Sequence, residues 1–553
     1  MPKITKKSAS VASSIKSQKS VKKVKVPHLV IEARAGTGKT TTLIEGLKKL
    51  RGVASDHPAS KNPSPEQKAI YDALLLSKGA ESVNFVAFNS SIANELKERV
   101  PAGCEAMTSH SLGFRAVREF FGQVKLENGR CQDLIAEIMK EDIWSLRKSR
   151  MVFMRAVDTL VELCKMNWID GDTTEELDKL VDHYQVDLER YTEEVYEMVP
   201  KVIKLSADVA RDRHIQFIDM IWLPVYLNLP LTKYDLLLVD EAQDLNRCQQ
   251  ELVRRSGNRL ILCGDPKQAI YGFAGADSES MPRMIESLSE TESGCSVLPL
   301  KFTRRCGKLI VGEANKIVPD FYAFESNDIG SISHMKLSST SEDGYYGYVE
   351  SGDMVLCRVN APLVSECFRF IKAGVKARIQ GRDIGAGLIK IVKDTAKRSP
   401  FDDMNVTQLI QALDAWRRDE EQKELNKRHP SEARLQGIYD RHSCLMTFCD
   451  NTLGTKSHTS VIEMIDRLFS DDSVEAVRFS SVHRAKGLEA DRVFILLPDG
   501  AGMPHPLAKT DWEREQEYNL LYVAITRARN ELIFVHGEKK GDNAKASQKD
   551  SDY

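Results

Sequence analysis

Residues Leu29 to Leu43 read LVIEARAGTGKTTTL, a buried apolar strand, a glycine-bearing loop and a helix start in immediate succession. No other stretch constrains the fold of this chain as strongly. A strand that turns directly into a helix through Gly36 and Gly38 belongs to an α/β layer, and the inward-facing N–H groups of such a loop cradle phosphate at the helix N-terminus. Lys39 adds a point charge for β- and γ-phosphates, and Thr40 offers a hydroxyl to Mg²⁺. Ala35, Gly36, Thr37, Gly38, Lys39, Thr40 and Thr41 are therefore the expected contacts to the phosphates of a nucleoside triphosphate such as ATP. Ala33 stands where the usual pattern has its first glycine.

Downstream, the helix from Thr40 to about Leu50 leads into a linker, and Ser64, Pro65 and Gln67 form a capping box ahead of an apolar face of Ile70, Leu74 and Leu75. SVNFVAFN then reads as a strand, followed by a helix with Ile92, Leu96 and Val100 on one side. This βαβ rhythm predicts a parallel sheet whose ligands lie beyond the carboxyl ends of its strands. Between Phe114 and about Pro224 the pattern is helical, with amphipathic segments at Asp133 to Leu163 and Thr192 to Val209, the latter broken or kinked at Pro200. YDLLLVDEAQDLN restores strand character and ends in Asp240 and Glu241. Asp240 suits Mg²⁺, directly or through water, and Glu241 suits the polarising of an attacking water. RLILCGD opens into PKQAIYGFAGA, which puts Gln268 past another strand end, where its amide senses the γ-phosphate. Tyr271 and Phe273, two residues apart, either stack on unpaired bases or pack beneath their own loop.

At 553 residues the chain calls for several domains. Its net charge of −2 leaves any anionic partner to local patches. One such patch is the start, where Lys3, Lys6, Lys7, Lys16, Lys19, Lys22, Lys23 and Lys25 occur before Val26 without an acidic residue: a disordered tail, or a salt-sensitive tether for nucleic acid. No apolar run reaches membrane-spanning length and no secretory core opens the chain, so no membrane partner is expected. The 11 scattered cysteines fit a reducing intracellular compartment. His442, Cys444, Cys449 and His458 cluster without the spacing of a zinc module and are read as packing residues.

AGTGKTT, VAFNSSIANEL, TSHSLG, VDEAQD and GDPKQAIYGFAGA are followed by LPLKFTRRC, SVHRAKGLEADRVFIL and EYNLLYVAITRARNEL. In this order they resemble the motifs of UvrD/Rep-type superfamily 1 DNA helicases, from about Leu29 to Val535. The resemblance implies an α/β fold of two RecA-like P-loop motor domains, with a helical insertion in the first and a small one in the second. It implies an ATP-dependent DNA helicase moving 3′→5′ on single-stranded DNA by Mg·ATP hydrolysis; the alternatives are a translocase with little unwinding, or a DNA-binding scaffold. Implied catalytic residues are Lys39, Glu241, Gln268, Arg305 and Arg527, with Glu489 at the ribose. Phe88, Asn89, Thr108, His110, Tyr271, Phe273 and His483 are the implied DNA contacts. Partners would be single-stranded DNA, junctions with duplex, and replication or recombination proteins, in the nucleoid of a prokaryotic or viral setting or in a nucleus.

The chain departs from the family at the base end of the nucleotide. Gln67, the candidate adenine-reading glutamine, follows the phosphate loop instead of preceding it, and Arg304 replaces the family's adenine-stacking aromatic ring. In the DNA-facing motifs Ser90, Ser109 and Ala274 replace a lysine, an aromatic residue and an arginine. The expected organisation is a tail to 27, a first motor domain at 28–113 and 225–290 with its insertion at 114–224, a second at 291–387 and 475–537 with a reduced accessory insertion at 388–474, and a tail from 538.

Overall fold

The structure, a computed structural model, describes residues 26–140, 148–184, 186, 188, 191–270, 279–337, 345–373, 375–397, 404–426, 432–452, 457–470, 476–497, 502–506, 508 and 510–537. Strands β1 (His28–Ala33), β2 (Val83–Ala87), β3 (Cys104–Thr108), β4 (Tyr234–Val239), β5 (Gly257–Gly264) and β6 (Cys295–Leu300) form one sheet in the order β3-β2-β4-β5-β1-β6. Strands β7 (Ser331–Lys336), β8 (Met354–Cys357), β9 (Ala377–Ile379), β10 (Val477–Ser481), β11 (Ala490–Leu497) and β12 (Ala528–His536) form a second, ordered β7-β12-β11-β8-β10-β9. Every pairing in both is parallel. Strands covered on both faces need near-continuous apolar runs, which LLLV of β4 and LILC of β5 supply.

Alternation along β1 divides the first core. Leu29 and Ile31 meet helices α1 (Lys39–Leu50) and α2 (Pro65–Leu75) through Leu43, Leu47, Ile70 and Leu74. Val30 faces the other way, into a core shared with Phe153, Leu160, Val202 and Trp222 of the helical insertion. The predicted capping box starts α2: the Gln67 N–H donates to Ser64 Oγ at 3.1 Å and the Ser64 N–H to Gln67 Oε1 at 3.0 Å. Helices α1 and α2 touch at Gly46, where a Cβ would lie 2.3 Å from Leu74 Cδ1. That close approach brings Gln67 back beside the phosphate loop. Two further helices, α3 (Ser90–Arg99) and α4 (Ser109–Phe121), follow β2 and β3 directly.

Three expectations need correction. The segment Asp133 to Leu163 is not one helix: a helix over Arg130–Met139 ends at Lys140, whose φ of 54° lies in the left-handed region, and another spans Lys148–Asn167. The helix Thr192–Ala207 is not broken at Pro200 but continues past it, with Val195, Val199, Val202 and Ile203 holding both of its halves in the core. The division at 290/291 falls one strand early, since β6 pairs with β1 from His28↔Cys295 to Ala33↔Leu300. The insertion also carries a two-residue parallel ribbon, Lys125–Leu126 with His214–Ile215. At its centre Lys165 Nζ donates to Asp219 Oδ1 at 2.7 Å, both side chains fully buried. Removing one partner strands the other, at about 3–5 kcal/mol.

In the second half, helices Arg382–Lys397, Val406–Leu425, Glu432–Asn451 and His458–Ser470 fill the region read as an accessory insertion. Leu388, Leu409, Leu445, Phe448 and Ile465 share one apolar cluster with Val355, Phe479 and Phe494 of the second sheet, so this insertion thickens that domain instead of forming a core of its own. Cys444 and Cys449 lie in the same cluster, and His442 pairs with Asp414 at 2.9 Å. The charged end of Val406–Leu425 is laced by exposed pairs such as Lys423–Asp419, each worth at most about 1 kcal/mol. Among the described residues no helix is long and apolar enough to cross a membrane.

Candidate nucleotide and DNA site

The loop after β1 turns through Gly36 (φ 66°) and Gly38 (φ 79°), the latter standing as the N-cap of α1. A Cβ on Gly36 would lie 2.5 Å from Arg305 Cβ, so only glycine fits between the two domains here. Thr37 Oγ1 donates to the Arg34 carbonyl at 2.8 Å and closes the turn. The ends of β4 and β5 meet it from the side. Together they line a cavity of about 270 Å³ walled by Lys39, Thr40, Asp240, Glu241 and Gln268 from the first domain and by Arg305 and Arg527 from the second. Six parallel strands point their carboxyl ends at this edge, which is why residues 200 positions apart in sequence converge there.

Lys39 Nζ donates to Glu241 Oε2 at 2.8 Å. Burial alone would lower the Lys39 ammonium, but Glu241, with Asp265 and Asp240 behind it, raises it instead. Burial likewise opposes the Glu241 charge, yet Lys39 and then Lys486 hold that carboxylate below its usual range. Asp240 is pushed the other way, upward, by burial and by the charge on Glu241. Glu241 sits at φ 52°, a left-handed backbone that a non-glycine residue adopts only under constraint, and its carboxylate accepts from Gln243 Nε2 at 2.7 Å. The donor set fits Mg²⁺: Thr40 Oγ1 donates directly to Asp240 Oδ2, so two hard oxygens already meet at the cradle. Gln268 is buried and donates to Asp265 Oδ2 at 2.8 Å.

Arg305 forms an ion pair with Glu489 at 2.5 Å and donates to the Thr526 carbonyl at 3.2 Å. Arg529 holds the other oxygen of Glu489. Arg527 is fully buried and donates to the carbonyls of Val523 (3.0 Å) and Leu488 (2.9 Å). Burial, then the Arg305 charge, lowers it to about 10. Toward the outside the cleft widens into a second cavity of about 620 Å³, where Gln67, Thr41 and Arg304 stand beside Gly36, Thr37 and Gly38.

Several residues that no single motif position singled out join the two halves. Lys486 Nζ donates to both oxygens of Asp244, at 2.8 and 2.6 Å, and to the Gln268 carbonyl at 2.7 Å. Tyr522 Oη accepts the Ala35 N–H at 2.9 Å and donates to Asp265 Oδ2 at 3.3 Å. Arg34 grips Asp320 with two N–H groups, at 2.9 and 2.6 Å. Lys486 and Tyr522 lie inside the quoted SVHRAKGLE and EYNLLYVAITRARNEL stretches, which was the available signal.

The described DNA candidates lie just past the ends of strands in one sheet or the other, and they differ in exposure. Phe88 is 42% exposed at the end of β2. Asn89 and Thr108 serve as N-caps: Asn89 Oδ1 accepts the Ile92 N–H at 2.9 Å and Thr108 Oγ1 the Ser111 N–H at 3.1 Å. His110 stacks on Phe217 at 4.1 Å between ring centroids, and burial lowers it to about 4. Phe217, 55% exposed, was not anticipated. His483 follows β10, and burial, then Arg358 and Lys486, lowers it to about 3. Tyr271 and Phe273 lie outside the described residues.

A phosphate loop at the carboxyl ends of one parallel sheet, faced by arginines from a second parallel sheet across a shared cleft, defines a tandem RecA-like P-loop architecture. The chain belongs to the UvrD/Rep helicase family: the sequence model of the UvrD/REP helicase N-terminal domain matches residues 14–289 and that of the UvrD-like helicase C-terminal domain residues 476–535. It is similar to F-box DNA helicase protein 1 of Schizosaccharomyces pombe, 22% identical over 545 residues, 91% of this chain and 55% of that protein. It is also similar to F-box DNA helicase 1 of Gallus gallus (23% over 540 residues, 91% and 47%) and to the ATP-dependent DNA helicase UvrD2 of Mycobacterium tuberculosis (25% over 364 residues, 58% and 50%). The chain spans about half the length of these relatives.

Proposed function

We propose that the chain is a DNA helicase motor that hydrolyses ATP between its two sheets and moves 3′→5′ along single-stranded DNA. The observation that carries this reading is the phosphate cavity with Lys39, Thr40, Asp240, Glu241 and Gln268 on one wall and Arg305 and Arg527 on the other. Lys39 leaves Glu241 for the β- and γ-phosphates, which frees the Glu241 carboxylate to orient a water in line with the γ-phosphorus. Thr40 and Asp240 would hold Mg²⁺, and the ion would supply charge neutralisation at the phosphates. Arg305 and Arg527 stabilise charge spreading over the transferring group, and they reach it only when the cleft is closed, so nucleotide state sets domain separation. Gln268 senses the γ-phosphate and passes its presence to the second domain through Lys486 and Asp244. The family resemblance assigns the ribose to Glu489, which would share its oxygens there with Arg305 and Arg529. Phe88, His110 and His483, with Tyr271 and Phe273, carry the strand by stacking and neutral contacts without reading sequence, and Asn89 and Thr108 offer capped helix N-termini to its phosphates.

Strand displacement on duplexes with a 3′ or a 5′ overhang, with hydrolysis followed in parallel, tests this. Unwinding from the 3′ overhang alone is expected; unwinding from the 5′ overhang overturns the direction. A second reading, a translocase with little unwinding of its own, is favoured by the accessory helices' sharing the core of the second sheet. DNA-stimulated hydrolysis without strand displacement would select it. A scaffold without catalysis would show neither.

A further inference from the structure

We propose that the nucleotide cleft holds the base by stacking it on Arg304 without reading its hydrogen-bonding edge, so that purine and pyrimidine triphosphates alike serve as substrates. This deepens the motor reading above and rests on it. The base end of the cleft is the cavity of about 620 Å³ that opens next to Gly36 and Gly38. Arg304 is fixed there at both ends. Its backbone N–H donates to the Gly36 carbonyl at 3.1 Å, which ties it to the phosphate loop. Its guanidinium carbon lies 3.6 Å from the centroid of the Phe324 ring, so one face of the plane is covered and its orientation is set. Arg304 is otherwise exposed and lines the cavity, so its guanidinium is accessible to a base there.

Stacking of this kind suits every base, because each has a π-face. Discrimination requires something else, a donor and an acceptor held side by side against the base edge; a site that pairs its own buried polar groups with a substrate rejects the analogue lacking them by about 10⁴-fold or more. The amides and the imidazole that line this cavity are each engaged at least in part. Gln67 Oε1 accepts the Ser64 N–H at 3.0 Å and its Nε2 donates to Thr42 Oγ1 at 3.1 Å. Asn327 spends Nδ2 on the carbonyls of Thr303 and Cys306, at 2.9 and 2.8 Å. His57 Nδ1 accepts the Ala59 N–H at 3.1 Å. Ser326, Asp328 and Asn530, which also line the cavity, are exposed to water, which competes for any edge they could bind. Gln67 is thus a structural residue joining α2 to α1, and Arg304 determines selectivity by withholding it.

The test is steady-state hydrolysis of ATP, GTP, CTP and UTP by the full chain with saturating single-stranded DNA. The four kcat/KM values are expected to fall within about 30-fold, the largest spread that differences in stacking supply. Arg304→Ala should raise KM for all four by about tenfold or more with kcat retained, and Arg304→Tyr should restore KM. A preference for ATP beyond that spread over the other three, or an ATP preference that collapses in Gln67→Ala, overturns the proposal. If none of the four is hydrolysed, the motor reading fails, and displacement of a fluorescent ATP analogue still decides the base question: equal displacement by all four supports stacking, and displacement by ATP alone overturns it.

Discussion

The two sheets are built alike and used from opposite ends. The first presents the carboxyl ends of its strands to the nucleotide cleft: β1 runs into Lys39 and Thr40, β4 into Asp240 and Glu241, and β5 into Asp265 and Gln268. The second presents amino ends, for Glu489 directly precedes β11 and Arg527 directly precedes β12. Loop amides and a helix N-terminus gather at a carboxyl end, so the loop that turns through Gly36 and Gly38 belongs to the first sheet, and the second brings charged side chains to the cleft. Its own carboxyl ends run into Arg358 after β8 and toward His483 after β10, whereas Phe88, Asn89 and Thr108 close β2 and β3 of the first. A polymer crossing both sets of ends would feel every change in the cleft between them.

The sharpest way to break this division of labour is to remove the cradle's chemistry. Lys39→Ala and Glu241→Gln are each expected to reduce DNA-stimulated hydrolysis by about 10³-fold or more, with the circular dichroism spectrum unchanged. Turnover near wild type in either variant would mean that the first sheet does not do the chemistry. Arg305→Ala comes next, at about 10²–10³-fold in kcat with nucleotide KM nearly unchanged, since its contact matures only as charge develops in the closed cleft. A rise in KM at constant kcat would instead make Arg305 an ordinary binding group, and the second sheet a lid.

Lys486 tests the tie between the halves. In Lys486→Met the Asp244 carboxylate is left buried and unpaired, which costs about 3–5 kcal/mol of stability. Adding Asp244→Leu removes the stranded charge and should recover most of that loss. If Lys486 also transmits the state of Gln268, DNA stimulation in the double variant stays about tenfold low despite restored stability; recovery of both together would reduce Lys486 to a structural peg.

How much of this was legible in the sequence follows from how local each feature is. Lys39 and Thr40 sit on a strand–loop–helix that declares itself within 15 residues, and Ser64 with Gln67 fixes a helix start through contacts three residues apart. Asp240 and Glu241 end a run of apolar residues that has no other reading. Lys486 and Asp244 are separated by 242 residues, and their pairing exists only once the two sheets have docked. The membership of β6 in the first sheet is hidden for the same reason, since its register with β1 is a long-range pairing. Asn89 and Thr108 show a different limit: both lie in DNA-facing motifs, yet their side-chain oxygens accept from the first turns of α3 and α4, a role equally local that motif reading passed over.

The smallest effect separates the two histidines, one from each half. Burial lowers His110 to about 4 and His483 to about 3, whereas an unfolded chain takes up the proton near 6.5. Between pH 6.5 and 4 the unfolded state therefore binds more protons, and stability present above 6.5 is lost as pH falls, by up to about 1.4 kcal/mol per pH unit for each group. His110→Phe keeps the stack on Phe217 and should flatten the first domain's share of that slope in thermal melts from pH 7 to 4.5, while His483→Gln should do so for the second. Both rings are neutral at pH 7, so neither offers charge to a DNA phosphate. Should affinity for single-stranded DNA rise on acidification from pH 7.5 to 6, and should that rise disappear in His110→Phe or His483→Gln, the ring concerned would be titrating in open solvent, and the strand-end edge on that sheet would be more exposed than its packing indicates.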